Sequence, residues 1–587
     1  MPPPDDTSAK ELFAEGVRRL GKRYDAEFGM SLLGTDEGKY HDPRGSLWYA
    51  LGLLLTGDDA AEPERIIRNV LSMQERRDGD PHHGNFRWLY EDEVITDLNA
   101  VEFVLEGLTH ILLHARDRLS PALLAEIDGA MRLGFVEVDN LDVHWTYTNI
   151  YLLDVHNSIL CGEQLGDAEL LDRGLRRLRD WAERTKADGA PHEFNSGTYS
   201  GVQLTALGAI VQHAKNEQAR SDALEMEELV WRHVARHFHV STQQLAGPHS
   251  RAYRRDVVGA SDFLKVVLSK VLDRPELLDG TPYYDGAGRE ASVHVSLTEF
   301  HCPPDARELF DRVETREVRE TPSRKFGMET TTYLTPEFAL GSMSLPYGVG
   351  DLPEVWPAHN SCILYFAKQR EPGYGVLYCR YLVNDRRVGQ FVYESSRAAL
   401  DLWEEGSFRT AQRAGDAIVA YGLMARGQRH VHSLRLDVRM LGIDDDSQVV
   451  VGEQPYEGGE LALEAVELIG IASGEVYIGI VPLAPTKLGH GPPLVVWQDG
   501  QELIVSLYNY RGPAKQFWEY RSLAGPFFKD NVRNGFALRV APRSAHESLA
   551  GFLAALRKTP LSDELRGSKR AVTFGGVSLQ YDLRELS

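Results

Sequence analysis

The residues best suited to chemistry lie in a polar segment, Gly189–Leu204 (GAPHEFNSGTYSGVQL), where six polar side chains occupy eight consecutive positions. Its three glycines allow backbone turns that a Cβ would forbid, which predicts a loop that ends one helix and starts another. A capping loop needs one Ser or Asp rather than this set. We therefore expect the segment to face a ligand through Glu193, Asn195 and Tyr199, the alternative being an ordinary connection between helices.

A second polar cluster follows about fifty residues later, in LAGPHSRAYRRD (Leu245–Asp256). His249, Arg251 and Tyr253 alternate, so in an extended loop their side chains would point to one side. Tyrosine has an unperturbed pKa near 10, and a neighbouring arginine lowers it. The spacing thus predicts that Arg251 prepares Tyr253 for proton transfer, the alternative being a surface loop of mixed charge.

A third cluster lies in VHWTYTNIYLLDVHN (Val143–Asn157), where His144 precedes a predicted helix that carries Asn149 and His156. Asn149 and His156 are seven positions apart and so share one helix face. We interpret all three as candidate substrate contacts. The alternative for the two helical residues is a buried hydrogen bond.

A fourth cluster, DPHHGNFRWLYED (Asp80–Asp92), places His83 and Trp88 in a loop between helices. The indole of Trp88 offers a flat apolar surface on which a sugar can stack, or it belongs to the core. His82 and His83 are adjacent, but no third ligand follows at the spacing of a zinc site. We expect no metal and no cofactor.

The elements that must position these loops are helical from about Lys10 to Leu278. Apolar helices alternate with amphipathic ones, and two joints, LLLTGDDAAEPERIIRNVL and LCGEQLGDAELLDRGLRRL, look alike. Similar pairs at intervals of roughly 45–50 residues indicate repeated α-hairpins. We predict an (α/α) toroid over residues 1–290 as the catalytic domain, which would gather the four loops at one end. An open α-solenoid is the alternative.

The second half, residues 291–587, reads as short β-branched and aromatic segments punctuated by Gly, Pro, Asp and Asn, which predicts an antiparallel β-sandwich. Asp499–Gly500 marks a hairpin, and Ser544–Arg557 is helical in pattern. The predicted strands include ASVHVSLTEF (291–300) and GQFVYES (389–395).

The composition of the chain limits the kinds of partner that it can bind. A net charge of -22 argues against a nucleic acid or an anionic membrane as partner. No run of about eighteen apolar residues would span a membrane. The four cysteines show no CxxC spacing and are expected to be reduced thiols. The N-terminus shows no signal peptide, so we expect a cytoplasmic protein, or a periplasmic or secreted one if a leader is missing. The oligomeric state stays open, a homo-oligomer included.

Asn, His, Arg and Tyr are the set that β-elimination at a uronic acid requires. The C5 proton becomes acidic only when the neighbouring carboxylate is neutralised, which Asn, Arg or His can do by hydrogen bonding. A Tyr or His base then removes the proton while an acid protonates the leaving O4.

A toroid followed by a β-sandwich, with these residue types on successive loops, resembles the polysaccharide lyases of the heparinase II/III, alginate-lyase and chondroitin AC-lyase type. The resemblance covers the order of elements over most of the chain. It implies a uronate-containing oligo- or polysaccharide as substrate, Tyr253 as general base or acid with His249 as its partner, and Asn195 (or Asn149) with Arg251 neutralising the carboxylate. The asparagine–histidine helix motif of alginate lyases occurs here only in reversed order, as His156–Asn157.

Two other functions fit the same residues. A glycoside hydrolase on the toroid would need two carboxylates flanking the scissile bond, and Glu193 could pair with Asp154 or Asp256. A non-catalytic carbohydrate-binding protein would bind sugar without turnover.

Overall fold

The computed structural model describes residues 7–35, 38–57, 59–260, 262–284, 291–350, 359–384, 406–423, 431–489, 491–515 and 532–586. The strand predicted at 389–395 lies outside them.

Helices occupy the first part of the chain. They are α1 (Thr7–Lys22), α2 (Pro43–Thr56), α3 (Ala61–Leu71), α4 (Ala100–Ala115), α5 (Pro121–Leu141), α6 (Thr148–Leu165), α7 (Ala168–Asp188), α8 (Tyr199–His213), α9 (Glu217–His237), α10 (Arg254–Val257), α11 (Phe263–Val271), α12 (Ser292–Leu297) and α13 (Pro304–Leu309). Within the described ranges, none combines the length and the apolar run that crossing a bilayer takes.

The helices close into a ring. The inner helices α2, α4, α6, α8 and α11 pack side by side in that order, and α12 together with α1 fills the space between α11 and α2. The outer helices α3, α5, α7 and α9 each pack on the inner helix before them. This confirms the toroid and rules out the open solenoid.

The inner and outer helices differ in burial, as their apolar and amphipathic patterns predicted. On α6, every residue from Thr148 to Gly162 is buried, whereas α7 buries only a stripe that includes Leu178 and Trp181. The Gly–Asp joint between them is built as the sequence indicates: Gly166 takes φ 64° to end α6, and the Asp167 carboxylate caps α7 at the Leu170 N–H.

The boundary between the two parts differs from the prediction. The segment 291–300, predicted as a strand from its alternating pattern, contains the helix α12, which packs on α1 and completes the ring. Ring closure buries every residue of that helix, so tertiary packing overrides the strand preference of its valines. Helices continue to Leu309 and the main sheet begins at Arg316, so the change falls between these residues rather than at 290/291.

The strands lie mostly in the second part. They are β1 (Tyr24–Asp25), β2 (Met30–Thr35), β3 (Gly38–Asp42), β4 (Phe238–His239), β5 (Gln244–Leu245), β6 (Arg316–Ser323), β7 (Met328–Leu334), β8 (Phe338–Met343), β9 (Cys362–Ala367), β10 (Tyr374–Val383), β11 (Gly406–Arg413), β12 (Asp416–Leu423), β13 (Val431–Leu441), β14 (Gln448–Val451), β15 (Gln454–Pro455), β16 (Leu461–Leu463), β17 (Ile469–Ser473), β18 (Val476–Pro482), β19 (Leu494–Asp499), β20 (Glu502–Lys515), β21 (Arg533–Pro542), β22 (Leu561–Arg566), β23 (Lys569–Phe574) and β24 (Val577–Asp582).

These strands confirm the β-sandwich. Among the described residues, one antiparallel sheet has the order β16-β19-β20-β13-β10-β9-β8-β7-β6 and the other β11-β12-β21-β18-β17-β14-β15. Their inner faces enclose one apolar core. Asp499–Gly500 forms the predicted hairpin between β19 and β20. The predicted C-terminal helix, α14 (Leu549–Arg557), packs with β22–β24 on the outer face of the second sheet.

The toroid rests on the outer face of the first sheet. Ala252, Val257 and Val258 from the helical part share an apolar cluster with Ile363 and Tyr365 from β9. The polar loops at this end of the toroid therefore lie against the sheet.

Candidate active site

Two of the predicted polar segments meet at the amino-terminal end of α8. The Phe194 carbonyl accepts hydrogen bonds from Ser250 Oγ at 2.5 Å and from the Ser250 N–H at 3.3 Å. This contact places 189–198 directly beside 246–253. The prediction that these loops share one end of the toroid is therefore realised for both clusters.

Glu193 is the centre of the site's charge network. Its fully buried carboxylate accepts from the Asn149 backbone N–H at 2.8 Å, from Asn149 Nδ2 at 2.7 and 2.9 Å, and from Arg251 Nη1 at 2.8 Å. A buried carboxylate is tolerated only when it is paired and hydrogen-bonded in this way. Glu193 thus serves the network together with the N–H groups of Asn149, while Asn149 Oδ1 has no hydrogen-bond partner among the described residues.

Arg251 connects this carboxylate to two tyrosines. Its Nη2 donates to the Tyr199 hydroxyl at 2.8 Å, and its guanidinium lies 3.9 Å from the centre of the Tyr199 ring. The Tyr199 and Tyr253 hydroxyl oxygens are 2.5 Å apart. Arg251 therefore reaches Tyr253 by hydrogen bonds through Tyr199, and it is also close enough to interact with Tyr253 electrostatically.

Tyr199 stays protonated within this chain of hydrogen bonds. Burial raises the pKa of Tyr199 well above its usual value, although Arg251 opposes the shift. A tyrosine hydroxyl has one proton to donate and two lone pairs to accept with. Tyr199 therefore accepts from Arg251 and shares a hydrogen bond with Tyr253 in which either hydroxyl can be the donor.

Tyr253 itself is half-buried at the rim of the toroid. Its backbone N–H donates to Asp256 Oδ2 at 2.9 Å and caps the short helix α10. The Arg255 guanidinium lies 5.4 Å from its ring centre. These contacts fix the phenol in place while leaving part of it open to solvent.

Asn195 combines two unusual properties. It adopts φ +43°, a left-handed conformation that costs free energy for any residue other than glycine. Its side chain is fully buried, and neither Oδ1 nor Nδ2 has a hydrogen-bond partner among the described residues. Buried amides are normally satisfied, so this group is the one best placed to bind a ligand.

His249 reaches toward the β-sandwich. Its Nε2 donates to the Leu245 carbonyl at 3.2 Å, while Nδ1 has no partner in the described part of the chain. Burial lowers the pKa of His249 to about 4, so the ring is neutral at pH 7. Its carbonyl accepts from the Asn360 N–H at 2.9 Å, which brings the sheet into the site.

The sequence analysis missed the residues that the sheet contributes. Asn360 and Arg380 are fully buried, and within the described ranges the Asn360 amide and the Arg380 Nε and Nη2 atoms make no hydrogen bond. Both residues fell in segments interpreted only as strands. The sequence signal that could have found Arg380 is an arginine inside the otherwise apolar run GVLYCRYLVN, because a buried charge is costly unless it is paired or hydrogen-bonded.

Three other predicted substrate contacts, His144, Trp88 and His83, lie outside the Glu193–Arg251–Tyr199 network. His144 Nδ1 is 2.8 Å from Thr146 Oγ1 just before α6. Trp88 lies under the Arg44 guanidinium at 3.7 Å and packs on Phe103. His83 Nδ1 contacts the Arg77 carbonyl at 3.1 Å in an outer turn, so the structure does not bring His83 to Tyr253.

His156 lies deeper in the ring, in a histidine cluster that the sequence analysis did not recognise. Its ring stacks on His110 at 5.4 Å, and His110 is 4.8 Å from His294 between ring centres. Burial lowers the pKa of every member. The cluster consists of His110, His114, His156, His213 and His294.

The carboxylates needed for glycoside hydrolysis are already engaged. Asp154 is fully buried against Arg173 Nη2 and Arg177 Nε at 2.9 and 2.8 Å. Asp256 accepts from Thr198 Oγ1 at 3.0 Å and from the Tyr253 N–H. Glu193 is likewise bound to Arg251, so each of the three carboxylates has a hydrogen-bond partner within the toroid.

A cavity of about 430 Å³ lies between the helical part and the sheet. It lies between Arg254 and Tyr283 of the helical part and Arg439 and Glu502 of β13 and β20. Glu502 accepts from Arg254 and from Tyr378 at 2.8 and 2.9 Å. The lining is mostly polar, and it includes Arg254, the residue that follows Tyr253 in the sequence.

Comparisons with known proteins were made for sequence and for fold. A family model described as a domain of unknown function (DUF8769) matches residues 10–278. The chain matches no curated protein sequence. Among solved structures it is similar to heparinase III, the BT4657 gene product, with 10% identity, a TM-score of 0.34, and coverage of 98% of this chain and 90% of that chain. It is also similar to the heparan sulfate lyase HepC from Pedobacter heparinus, with 9% identity, a TM-score of 0.32, and coverage of 100% of this chain and 89% of that chain. Similarities this distant carry no part of the functional argument.

The buried ion pair gives a first testable prediction. Replacing Glu193 by Gln should lower the free energy of unfolding by about 3–5 kcal/mol, because the Arg251 charge is left buried without its partner. Urea unfolding measures the change. The double variant Glu193→Gln/Arg251→Met should recover part of the loss, and Glu15→Gln, in a surface pair with Arg19, should cost less than about 1 kcal/mol. A Glu193→Gln variant as stable as the wild type would contradict the assignment.

Proposed function

We propose that this protein is a polysaccharide lyase that cleaves the glycosidic bond to a uronic acid residue by β-elimination. The observation that carries the proposal is the chain Arg251–Tyr199–Tyr253, ending on a half-exposed phenol, beside the buried and unpaired amide of Asn195. The residue types are those that the reaction needs, and they converge from loops far apart in sequence.

Asn195 is proposed to neutralise the uronate carboxylate. Its Nδ2 donates to a carboxylate oxygen, and the left-handed backbone holds the amide in position before substrate binds. Hydrogen bonding to the carboxylate stabilises the negative charge that develops when the adjacent C5–H bond breaks. Arg380 and Asn360, with unpaired buried groups among the described residues, are the further donors on the side of the sheet.

Tyr253 is proposed to transfer the proton. In the reaction the C5 proton goes to the base, the C5–H electron pair forms the C4=C5 double bond, and the C4–O4 bond breaks with protonation of O4. A Tyr253 phenolate stabilised by the Tyr199 hydroxyl serves as base, and the resulting phenol can return the proton to O4. Neutral His249, with its unprotonated Nδ1, is the second proton acceptor at the site.

Glu193, Asn149 and Arg251 act as positioning residues in this proposal. The positive charge of Arg251 is compensated by Glu193 at 2.8 Å, so it does not offer an uncompensated charge to the substrate. The resemblance implied that Arg251 or Asn149 binds the carboxylate. The hydrogen bonds of both residues to Glu193 favour Asn195 instead.

The test is a panel of oligosaccharides that contain glucuronate, iduronate, galacturonate, mannuronate or guluronate. We expect at least one to give an unsaturated product, detected by the ultraviolet absorbance of the conjugated C4=C5 bond. New reducing ends without this absorbance would indicate a hydrolase. Binding without either product would indicate a carbohydrate-binding protein. Either result would refute the lyase proposal.

A further inference from the structure

A second group of functional side chains lies where the last outer helix meets the first strand of the sandwich. His233 and His237 are one turn apart on α9, and Glu320 faces them from β6. Glu320 Oε2 is 2.9 Å from His233 Nδ1 and 3.1 Å from His237 Nε2, and the three donor atoms all lie within 4.8 Å of one another. The two imidazoles are buried, and only 8% of the Glu320 side chain is exposed.

The contacts of Glu320 are only partly hydrogen bonds. Oε2 is hydrogen-bonded to His237 Nε2 at 3.1 Å, whereas His233 Nδ1, at 2.9 Å from the same oxygen, lacks the geometry of a hydrogen bond within the described ranges, and Oε1 lies 3.8 Å from Arg236 Nη1. A hydrogen bond needs the N–H directed at the acceptor. Donor atoms that surround a metal point instead to a common centre between them. At zinc–ligand distances of 2.0–2.1 Å, tetrahedral donors lie about 3.3 Å apart, close to the spacing seen here.

The surrounding contacts orient the rings as a metal site requires. Thr332 Oγ1 donates to the Gly247 carbonyl at 2.7 Å, so it can accept from His237 Nδ1, which lies 2.9 Å away. This hydrogen bond places a proton on Nδ1, so in the neutral ring the Nε2 lone pair faces Glu320 Oε2 at 3.1 Å, where a cation between the two atoms would be bound by both. A metal-binding histidine usually has such a partner on its other nitrogen.

We propose that His233 Nδ1, His237 Nε2 and Glu320 bind one divalent transition-metal ion of the zinc class. Two histidines and one carboxylate are a recognised zinc donor set that leaves a fourth position open. A water, or Glu320 Oε1, which lies 3.8 Å from Arg236 Nη1, completes the coordination. The ion would join the helical part to the sandwich.

The site also adjoins two residues of the candidate active site. His233 Nε2 accepts a hydrogen bond from the Asn195 backbone N–H at 3.4 Å. Metal binding at Nδ1 would move the ring proton to Nε2 and break this hydrogen bond, so occupancy of the site would alter the position of Asn195. On the other side, Thr332 holds Gly247, two residues before His249.

The test is the metal content of the full-length protein after equilibration with Zn²⁺ and dialysis against metal-free buffer. We expect about one zinc per chain in the wild type, and less than about a tenth of that in Glu320→Gln and His237→Ala, which each remove a ligand. The matched control is His301→Ala. His301 also pairs with a glutamate of α9, Glu227, at 2.9 Å, but no third donor joins them within the described residues, so zinc content should not change.

Two further measurements keep the proposal falsifiable if a ligand variant does not fold. Thr332→Val leaves the three ligands in place and should weaken zinc binding by about 10–100-fold. Wild-type protein loaded with Co²⁺ should show the visible d–d absorption of a tetrahedral site. Wild-type protein that retains no zinc, zinc retention equal in wild type and Glu320→Gln, or cobalt-loaded protein without this absorption would each overturn the proposal.

Discussion

Replacing Tyr253 by Phe should reduce the rate of unsaturated product formation by about 10²–10⁴-fold, the usual contribution of a positioned proton-transfer group. The change removes one oxygen, whose hydrogen bond is the 2.5 Å contact with Tyr199. The half-buried ring and the cap it provides for α10 through its backbone N–H remain. We therefore expect kcat to fall while the unfolding transition stays near that of the wild type.

Two other tyrosines provide the controls for this experiment. Tyr199→Phe removes the hydroxyl that contacts Tyr253 but leaves the Tyr253 phenol in place, so it should reduce kcat less than Tyr253→Phe does. Tyr151, like Tyr199, is a buried tyrosine. Tyr151→Phe removes a hydroxyl of α6 that donates to the Arg177 carbonyl of α7, and should leave the rate unchanged. Full activity in Tyr253→Phe would remove this tyrosine from the mechanism.

The histidine cluster should make the helical part sensitive to acid. Burial lowers the pKa of His156 to about 4 and those of His114 and His294 to about 3, and it also lowers those of His110 and His213. In the unfolded chain each protonates below about pH 6.5. The unfolded state then binds more protons than the folded state, so stability falls as pH falls from about 6.5 toward 3.

Two buried carboxyl groups on α4 act in the opposite direction. Burial raises the pKa of Glu106 to about 8 and that of Glu102 well above its usual value. Both stay protonated in the folded chain where the unfolded chain has lost the proton, which lowers stability as pH rises from about 4.5. The cluster has five histidines against these two carboxyl groups, so within this set the loss of stability with falling pH is the larger effect.

Thermal and urea unfolding between pH 8 and pH 4, followed by helical circular dichroism, measures this dependence. His294→Phe keeps an aromatic ring against Trp48, on which His294 stacks at 4.4 Å, and should reduce the slope by about 1.4 kcal/mol per pH unit. His546→Phe, on the sandwich beside Phe552, is the control and should not change the slope of the helical transition. A stability that is flat between pH 6.5 and pH 4.5 would refute the prediction.

The fold was largely predictable because its signals are local and repeated. The all-round apolar character of α6 and α8, and the single apolar stripe of α7, follow from the sequence itself. The ring closure was not predictable in the same way. The alternating valines of α12 indicate a strand, and only packing against α1 decides for a helix.

The site was predictable as a set of residue types and less so as a set of contacts. Glu193 and Arg251 are 58 residues apart, and no local pattern shows that each compensates the other's charge. The contribution of the sheet was missed because Asn360 and Arg380 lie in segments whose apolar neighbours dominate the pattern. His233 and His237 at an i, i+4 spacing on α9 were a readable signal, but their third partner, Glu320, is 83 residues beyond His237.

The direction of the inner helices has an electrostatic consequence. The helices α6, α8 and α11 begin at the candidate site, and Asn99, just before α4, donates to the Tyr147 hydroxyl there at 3.0 Å. Each helix carries about half a positive elementary charge at its first turn. At α6 and α11 this partial charge is matched by buried carboxylates: Glu193 accepts from the Asn149 N–H, and Asp262 caps α11 at the Lys265 N–H. The acidic groups that this end of the toroid buries are therefore stabilised by the helices that begin there.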